Sequence, residues 1–251
     1  MEFIRVEQSG PVKTITMTRG EKRNALNLAM LAEMTEAFRA EPAPADRVIV
    51  LRAEGPAFCS GMDLAERLEK PANPGESPIE VMLHAIEMNP LPVVAVVQGD
   101  AIAGGNELAL HCDFVVASTS ARFGMSLAQI GLAPTWFLTK KLMEVAGPVA
   151  AREILLLGDP LPSTKMQELG IIGRVAAPYD LQKEAQKVID RLAANAPLSL
   201  RAMKSMMVRQ MAFRDGIAHA EQDALVEAAR NSTDSKEGIR ARLEKRTADF
   251  K

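Results

Sequence analysis

Two glycine-rich segments hold the residues of this chain best suited to chemistry. One reads Ala57-Phe58-Cys59-Ser60-Gly61-Met62-Asp63-Leu64, the other Gln98-Gly99-Asp100-Ala101-Ile102-Ala103-Gly104-Gly105-Asn106-Glu107-Leu108. Each follows a short apolar run of strand character, Val48 to Leu51 and Val93 to Val97, and precedes a helical run. Glycine at such a junction permits unusual dihedrals and close approach of a ligand to the backbone. Amides of a first helical turn have no intrahelical acceptor and point along the helix dipole. Two of them facing one another would make an oxyanion hole, a donor pair for a carbonyl oxygen that gains negative charge. A tight structural turn accounts for either segment alone equally well. The histidines (His84, His111, His219) and cysteines (Cys59, Cys112) have no ligand spacing, so no metal is expected.

The elements that would carry these segments alternate between strand and helix. Phe3 to Gln8 and Val12 to Thr18 alternate apolar and polar residues around Ser9-Gly10-Pro11, the pattern of a half-buried hairpin. Leu28 to Ala40 places Leu31, Met34, Ala37 and Phe38 on one helical face and ends at Pro42-Ala43-Pro44. Val48 to Leu51, Val93 to Val97 and Phe114 to Ala117 are unbroken apolar runs, as in strands buried on both faces. Such repeats predict an α/β fold in one domain. Lys70 to Pro78, rich in Pro, predicts a surface loop. Beyond about Pro134 the chain reads as helical: Pro148 to Leu157, Asp180 to Ala194, Leu198 to Phe213 and Asp215 to Arg230 are amphipathic. This tail either caps the core or reaches a neighbouring subunit. Met203, Met206, Met207 and Met211 at helical spacing are expected to form an adaptable packed face, in the core.

Composition narrows the partners. The chain has 251 residues, 30 basic and 32 acidic side chains and a formal charge of −2. A charge this balanced leaves no footprint for nucleic acid or an anionic membrane, and neither is expected as a partner. Aromatic residues are only 4% of the chain, which argues against a stacking platform for single strands or sugars. The apolar stretch Leu91 to Val97 falls far short of the roughly 20 residues of a membrane helix. The first residues carry Glu2 and Arg5 and lack the apolar core of a signal peptide, so a cytoplasmic location is expected. In that compartment Cys59 and Cys112 read as small reduced apolar residues.

Taken in order, the motifs resemble those of a known family. Asn24-Ala25-Leu26, then A-F-C-S-G-M-D-L, then P-V-V-A-V-V-Q-G-D-A-I-A-G-G-N-E-L-A-L-H-C-D, then Ala121-Arg122-Phe123-Gly124, and finally Glu244-Lys245-Arg246 with Phe250, are similar to the enoyl-CoA hydratase/isomerase (crotonase) superfamily across essentially the whole chain. The resemblance implies a spiral of strand-strand-helix repeats, here residues 1–195, followed by a helical assembly region, residues 196–251, that mediates homotrimers or hexamers built as dimers of trimers. It implies an acyl thioester of coenzyme A as substrate, with coenzyme A part of that substrate and no separate cofactor. The thioester oxygen would be held by the backbone N–H groups of Met62 and Gly104, and Glu107 would act as acid and base. An apolar setting of Ile102, Ala103 and Leu108 would raise the pKa of Glu107 toward a useful value. For coenzyme A the resemblance assigns Lys22, Arg23, Ala25, Ser60, Gly61, Asp63 and Lys245, with Ser60 offering its backbone to the adenine. Solvated surface charge is an equal reading of Lys22.

One departure stands out. Family hydratases place a second glutamate in F-G-x-P-E, whereas this chain reads Phe123-Gly124-Met125-Ser126-Leu127. Loss of a general acid or base typically costs about 10²–10⁴ in rate. The expected activity is therefore hydration of a 2-enoyl-CoA or movement of an enoyl double bond by Glu107 alone. The alternative is a catalytically impaired acyl-CoA-binding or assembly protein. His84, Ser126, Gln129, Thr135 and Trp136 are candidate substitutes for the missing carboxylate. Asp100 reads as a solvated loop residue, and His111 and Asp113 as structural.

Overall fold

The computed structural model describes residues 1–69 and 77–250. In chain order β1 (Ile4–Ser9) and β2 (Val12–Met17) lead to α1 (Leu28–Arg39), β3 (Val48–Ala53), α2 (Leu64–Glu69), α3 (Pro78–Met88) and β4 (Val93–Val97). β5 (Ala101–Ile102), α4 (Gly104–Leu110), β6 (Phe114–Ser118), β7 (Arg122–Gly124) and α5 (Trp136–Arg152) follow. The chain continues with β8 (Leu161–Pro162), α6 (Ser163–Glu168), β9 (Arg174–Ala176), α7 (Leu181–Ala194), α8 (Pro197–Met211), α9 (Ala220–Asn231) and α10 (Thr233–Glu244).

The main sheet runs β1-β2-β3-β4-β6-β9, with β5-β7-β8 as a second, three-stranded sheet. Only β1 and β2 pair antiparallel in the main sheet, as the hairpin expected at Gly10, which has φ +54. From β2 onward its neighbours are parallel. Parallel strands need covered faces, and the alternation along them shows two covers. Ile49, Leu51, Val93, Ala95 and Val97 face the large core beneath α1, α3 and α4. Val48, Val50, Val94, Val96 and Val116 face the opposite side, where Leu181, Ala185, Val188, Ile189 and Leu192 of α7 cover them. Hence the runs are apolar at every position. Among the described residues no helix is long and apolar enough to cross a membrane.

Three expectations change. The Lys70 to Pro78 loop lies outside the described residues except for its end, where Pro78 opens α3 as a first-turn proline. α9 begins at Ala220, not Asp215, because Asp215 closes a 3-10 turn and Gly216 follows it. The methionine face of α8 does not enter the core: Met206 and Met207 are 56% and 61% exposed in the single chain. What buries α8 instead is Lys204, whose ammonium donates to the carbonyls of Ile86 and Leu91 and pairs with Asp113 at 2.6 Å. Asp113 also accepts from the Val93 amide at 2.7 Å, which gives it the structural role expected of it.

Helix α4 is locked to the Ala57–Gly61 segment by contacts that tolerate no side chain. A Cβ on Gly105 would stand 2.1 Å from the Cys59 carbonyl oxygen, and one on Gly99 would stand 2.0 Å from that of Pro56. Gly105→Ala is therefore expected to destabilise the fold by about 1–3 kcal/mol or more, since backbone must move. Urea unfolding of the two proteins at one pH checks this, and an unchanged midpoint would refute the close packing.

Candidate active site

Each glycine segment arrives at the site by a specific backbone device. Residues 19–26 form a tight turn in which Arg23 and Asn24 both have positive φ, +53 and +52. Buried Asn24 holds that turn by donating its side-chain amide to the carbonyls of Glu54 and Ala57. Leu26 then donates to Gly61 O at 2.8 Å, and Asp63 N returns the bond to Leu26 O at 2.9 Å. Met62 is carried between them. Its own N–H finds no acceptor among the described residues.

The second amide depends on Ala103. This residue sits at φ +49, ψ −116, left-handed territory that typically costs a non-glycine residue about 1–3 kcal/mol. It is held there because its N–H donates to Gly124 O at 2.7 Å. The reversal starts α4 at Gly104, whose N–H also lacks an acceptor among the described residues. Gly61 stands directly against this amide, since a Cβ built on Gly61 would lie 3.2 Å from Gly104 N. The structure therefore brings Met62, Gly104 and Glu107 into one neighbourhood.

Glu107, one turn into α4, is wholly buried, and neither carboxylate oxygen has a hydrogen-bond partner. Burial pushes its pKa up to about 8, with the positive charge of Lys141 on α5 opposing. His111, four residues on, is also fully buried, and its Nδ1 lies 3.8 Å from a Glu107 carboxylate oxygen. That ring nitrogen is 2.8 Å from the Glu107 backbone carbonyl, so it carries the proton and donates it there. Burial, and next Lys141, lower the pKa of His111 to about 4. Both side chains are then neutral at pH 7, and their proximity is not an ion pair. Phe137 stacks on the His111 ring at 5.2 Å. Behind it Lys141 bonds Glu87 of α3 and reaches Glu144 at 3.2 Å.

None of the expected substitutes for the missing carboxylate bonds Glu107. Ser126 donates to Gly158 O at 2.7 Å, Gln129 bonds Leu157 O and Asp159, and Thr135 caps α5. Trp136 stacks on His219 at 4.7 Å, and His84 meets the edge of Phe137. Leu127 is half-buried and packs against both the main core and the small cluster around Ile130, Leu132 and Ile239. The residue beside Glu107 is His111, for which the signal was its i+4 spacing on one helix. Lys141 and Glu87 had no such signal, because only tertiary packing brings α3 and α5 to α4.

Of the residues expected to hold coenzyme A, Lys22, Arg23, Ala25, Ser60, Gly61 and Asp63 lie together. Ser60 N donates to Arg23 O at 3.0 Å. Lys22 and Arg23 are exposed, but Arg23 pairs with Asp100 at 3.3 Å, so Asp100 is not simply solvated. The Asp63 carboxylate is engaged by Arg19 at 2.8 Å and caps α2 through Ala65 N and Glu66 N. Lys245 closes α10 at φ +56, and no hydrogen bond or ion pair joins its side chain to that cluster. Both cysteines are free and buried, and burial lifts the Cys59 thiol to about 12, which suits a small inert core residue.

The site thus sets two unspent amides and a bare buried carboxyl in a mixed α/β core. The family described as Enoyl-CoA hydratase/isomerase matches residues 7–251. The chain is 32% identical to the 2,3-dehydroadipyl-CoA hydratase of Escherichia coli K12, over all of this chain and 99% of that one. It is 32% identical to the enoyl-CoA hydratase EchA19 of Mycobacterium tuberculosis, over 98% of this chain and 95% of that one. Its fold matches the crystal structure of an enoyl-CoA hydratase from Mycobacterium avium subsp. paratuberculosis with a TM-score of 0.87 at 26% identity, covering 99% of this chain and 98% of that one. The chain belongs to the enoyl-CoA hydratase/isomerase family, within the crotonase superfamily.

The Glu107 carboxyl also makes a stability statement. Its pKa is about 8 folded against a usual 4.5, so the folded state keeps a proton that the unfolded state releases between those values. Stability must fall with rising pH across that window, by an amount on the order of a few kcal/mol, and level off above it. Glu107→Gln is expected to match the wild type near pH 4 and to exceed it by pH 8.5. Thermal unfolding at both pH values checks this; parallel curves would refute it.

Proposed function

We propose that this protein is an acyl-CoA-processing enzyme that hydrates a 2-enoyl-CoA or moves an enoyl-CoA double bond, with Glu107 as its one acid-base group. The observation that carries the reading is that carboxyl: fully buried, without partners, and one helical turn past an unspent amide. A buried polar group without a partner is costly unless function supplies one. In hydration, ionised Glu107 takes a proton from water and the hydroxide oxygen bonds to the β-carbon. The double-bond electrons move to the thioester oxygen, which Met62 N–H and Gly104 N–H receive. The enolate then collapses, taking the proton from Glu107 at the α-carbon and restoring the carboxylate. In isomerisation the same group removes an α-proton and returns it at the γ-carbon. Each oxyanion donor contributes typically about 3–4 kcal/mol to such a step.

The exposed cations Lys22 and Arg23, with the backbone of Ala25, Ser60 and Gly61, would take the nucleotide, while Asp63 positions α2 beside it. Lys245 would act across an oligomer contact. Residues 196–251 serve as the assembly region of a homotrimer or a dimer of trimers; the exposed apolar side chains Leu198, Met203, Met206, Met207, Phe213 and Leu225 support this. Met206→Glu with Met207→Glu is expected to lower the mass seen by sedimentation, and an unchanged mass would remove α8 from the interface. Replacement of the second carboxylate by Leu127 favours a second reading, an acyl-CoA-binding protein without turnover. Crotonyl-CoA and a 3-enoyl-CoA separate the two. For an enzyme, kcat/KM rises with pH through about 8, as Glu107 ionises. Glu107→Gln then loses about 10²–10⁴ in kcat while binding persists. Binding without turnover by the wild type would favour the second reading.

A further inference from the structure

A cleft of about 1700 Å³ separates α2, α3 and α5 from α8, α9 and α10. Glu107 does not line it, but its wall includes Phe137 and Glu87, which stand against His111 and Lys141. The cleft also reaches α2, whose first turn closes when Arg67 N donates to Asp63 O, the residue after the Met62 amide. Met62 and Gly104 do not line it, so on the acyl-CoA reading an acyl chain anchored at those amides would enter it past α2.

Four of the charged side chains lining this cleft are held in ion pairs. Lys140 is paired with Asp215, Lys204 with Asp113 and Glu87 with Lys141, while Asp223 lies 2.8 Å from the His219 ring. Glu80 is engaged as well. Arg67 and Arg230 are not cancelled: both are half-buried, line the cleft and have no carboxylate within 4 Å among the described residues. Glu227, one turn before Arg230, does not reach it. The two guanidiniums instead oppose each other, and burial followed by the charge of Arg230 lowers the pKa of Arg67. Arg201, Arg209 and Lys236 also line the cleft without an ion pair among the described residues, as does the carboxylate of Glu227, and the Arg201 Nε is buried and without a partner. Half-buried cations that repel each other destabilise the empty protein. An anion seated between them removes both costs, and a planar carboxylate matches the guanidinium fork in two-pronged fashion.

We propose that Arg67 and Arg230, with Arg201 lining the same cleft, form a carboxylate subsite, so that the preferred substrate is a coenzyme A thioester whose acyl chain ends in a second carboxylate. This rests on the acyl-CoA reading above and adds the acyl class to it. The anion could instead be a phosphate of coenzyme A itself, and the test separates the two.

Saturated, unreactive thioesters keep the test independent of turnover. Calorimetric titration of the whole protein with free coenzyme A, hexanoyl-CoA and the six-carbon ω-carboxyacyl-CoA is expected to show the carboxylated thioester binding about 10- to 100-fold tighter than hexanoyl-CoA. Arg67→Met and Arg230→Met should each bring that ratio close to one and leave hexanoyl-CoA and coenzyme A affinities unchanged. Both variants should melt no lower than the wild type, since each removes a repulsion. Equal affinity of the wild type for the two thioesters overturns the proposal. So does a uniform loss for all three ligands in the variants, which would assign the arginines to the phosphates of coenzyme A. If none of the three binds, the acyl-CoA reading itself fails together with the subsite.

Discussion

The contact on which the site depends is the approach of Gly105 to the Cys59 carbonyl, where only a hydrogen atom fits. It presses the first turn of α4 against the Ala57–Gly61 strand end, and three further links repeat the constraint. Ile102 N donates to Cys59 O at 2.9 Å, Asp100 O accepts from Phe58 N and Cys59 N, and Gly61 abuts Gly104 N. The amides at Met62 and Gly104 are not spent on holding this seam together. The seam thus decides where two free dipoles point. Glu107 follows without further specification, because it lies one turn along a helix whose start is already fixed.

A second consequence concerns charge. Burying a carboxyl without a partner keeps it protonated near neutral pH, and the molecule keeps countercharge close but out of contact. Lys141 acts on Glu107 through space while its own bonds go to Glu87 and Glu144. A lysine bonded directly to Glu107 would hold it ionised and fix its orientation; removing Lys141 altogether would leave burial unopposed. His111 contributes by being neutral, with its one proton committed to the Glu107 carbonyl and its ring clamped by Phe137. The groups that touch the carboxyl's neighbour His111 thus add no formal charge of their own beside it.

How far the sequence reveals this varies with the range of the interaction. The hairpin, α1, the doubly buried strands and α7 follow from local periodicity, and each appears within a residue or two of its expected bounds. The glycine seam is legible because glycine is required wherever a backbone approaches another backbone, and that requirement leaves a local trace. The cleft is not legible. Arg67 and Arg230 stand 163 positions apart, and each sits on an amphipathic helix where an arginine ordinarily means a solvated face. The misjudged methionine face has the same origin. A periodic apolar stripe states that something will cover it and does not state which chain does. Asp100 illustrates the smaller version of this failure, since its partner Arg23 comes from a turn 77 residues away.

Leu127 is best understood against this electrostatic setting. Two carboxylates facing one another raise each other's pKa, and that coupling is one route to an acid usable near neutral pH. With a leucine at this position the coupling is absent, and desolvation alone must do the same for Glu107. Leu127 packs against both the main core and the cluster of Ile130, Leu132 and α10's Ile239, and so joins the third segment to the last helix through apolar contacts. A glutamate there would break this apolar bridge. It would also place an anion in that apolar junction. On the proposed reading, a single acid-base group in a dry pocket and the arginines of the cleft are parts of one arrangement, with negative charge kept from the reacting carbons and received at the far end.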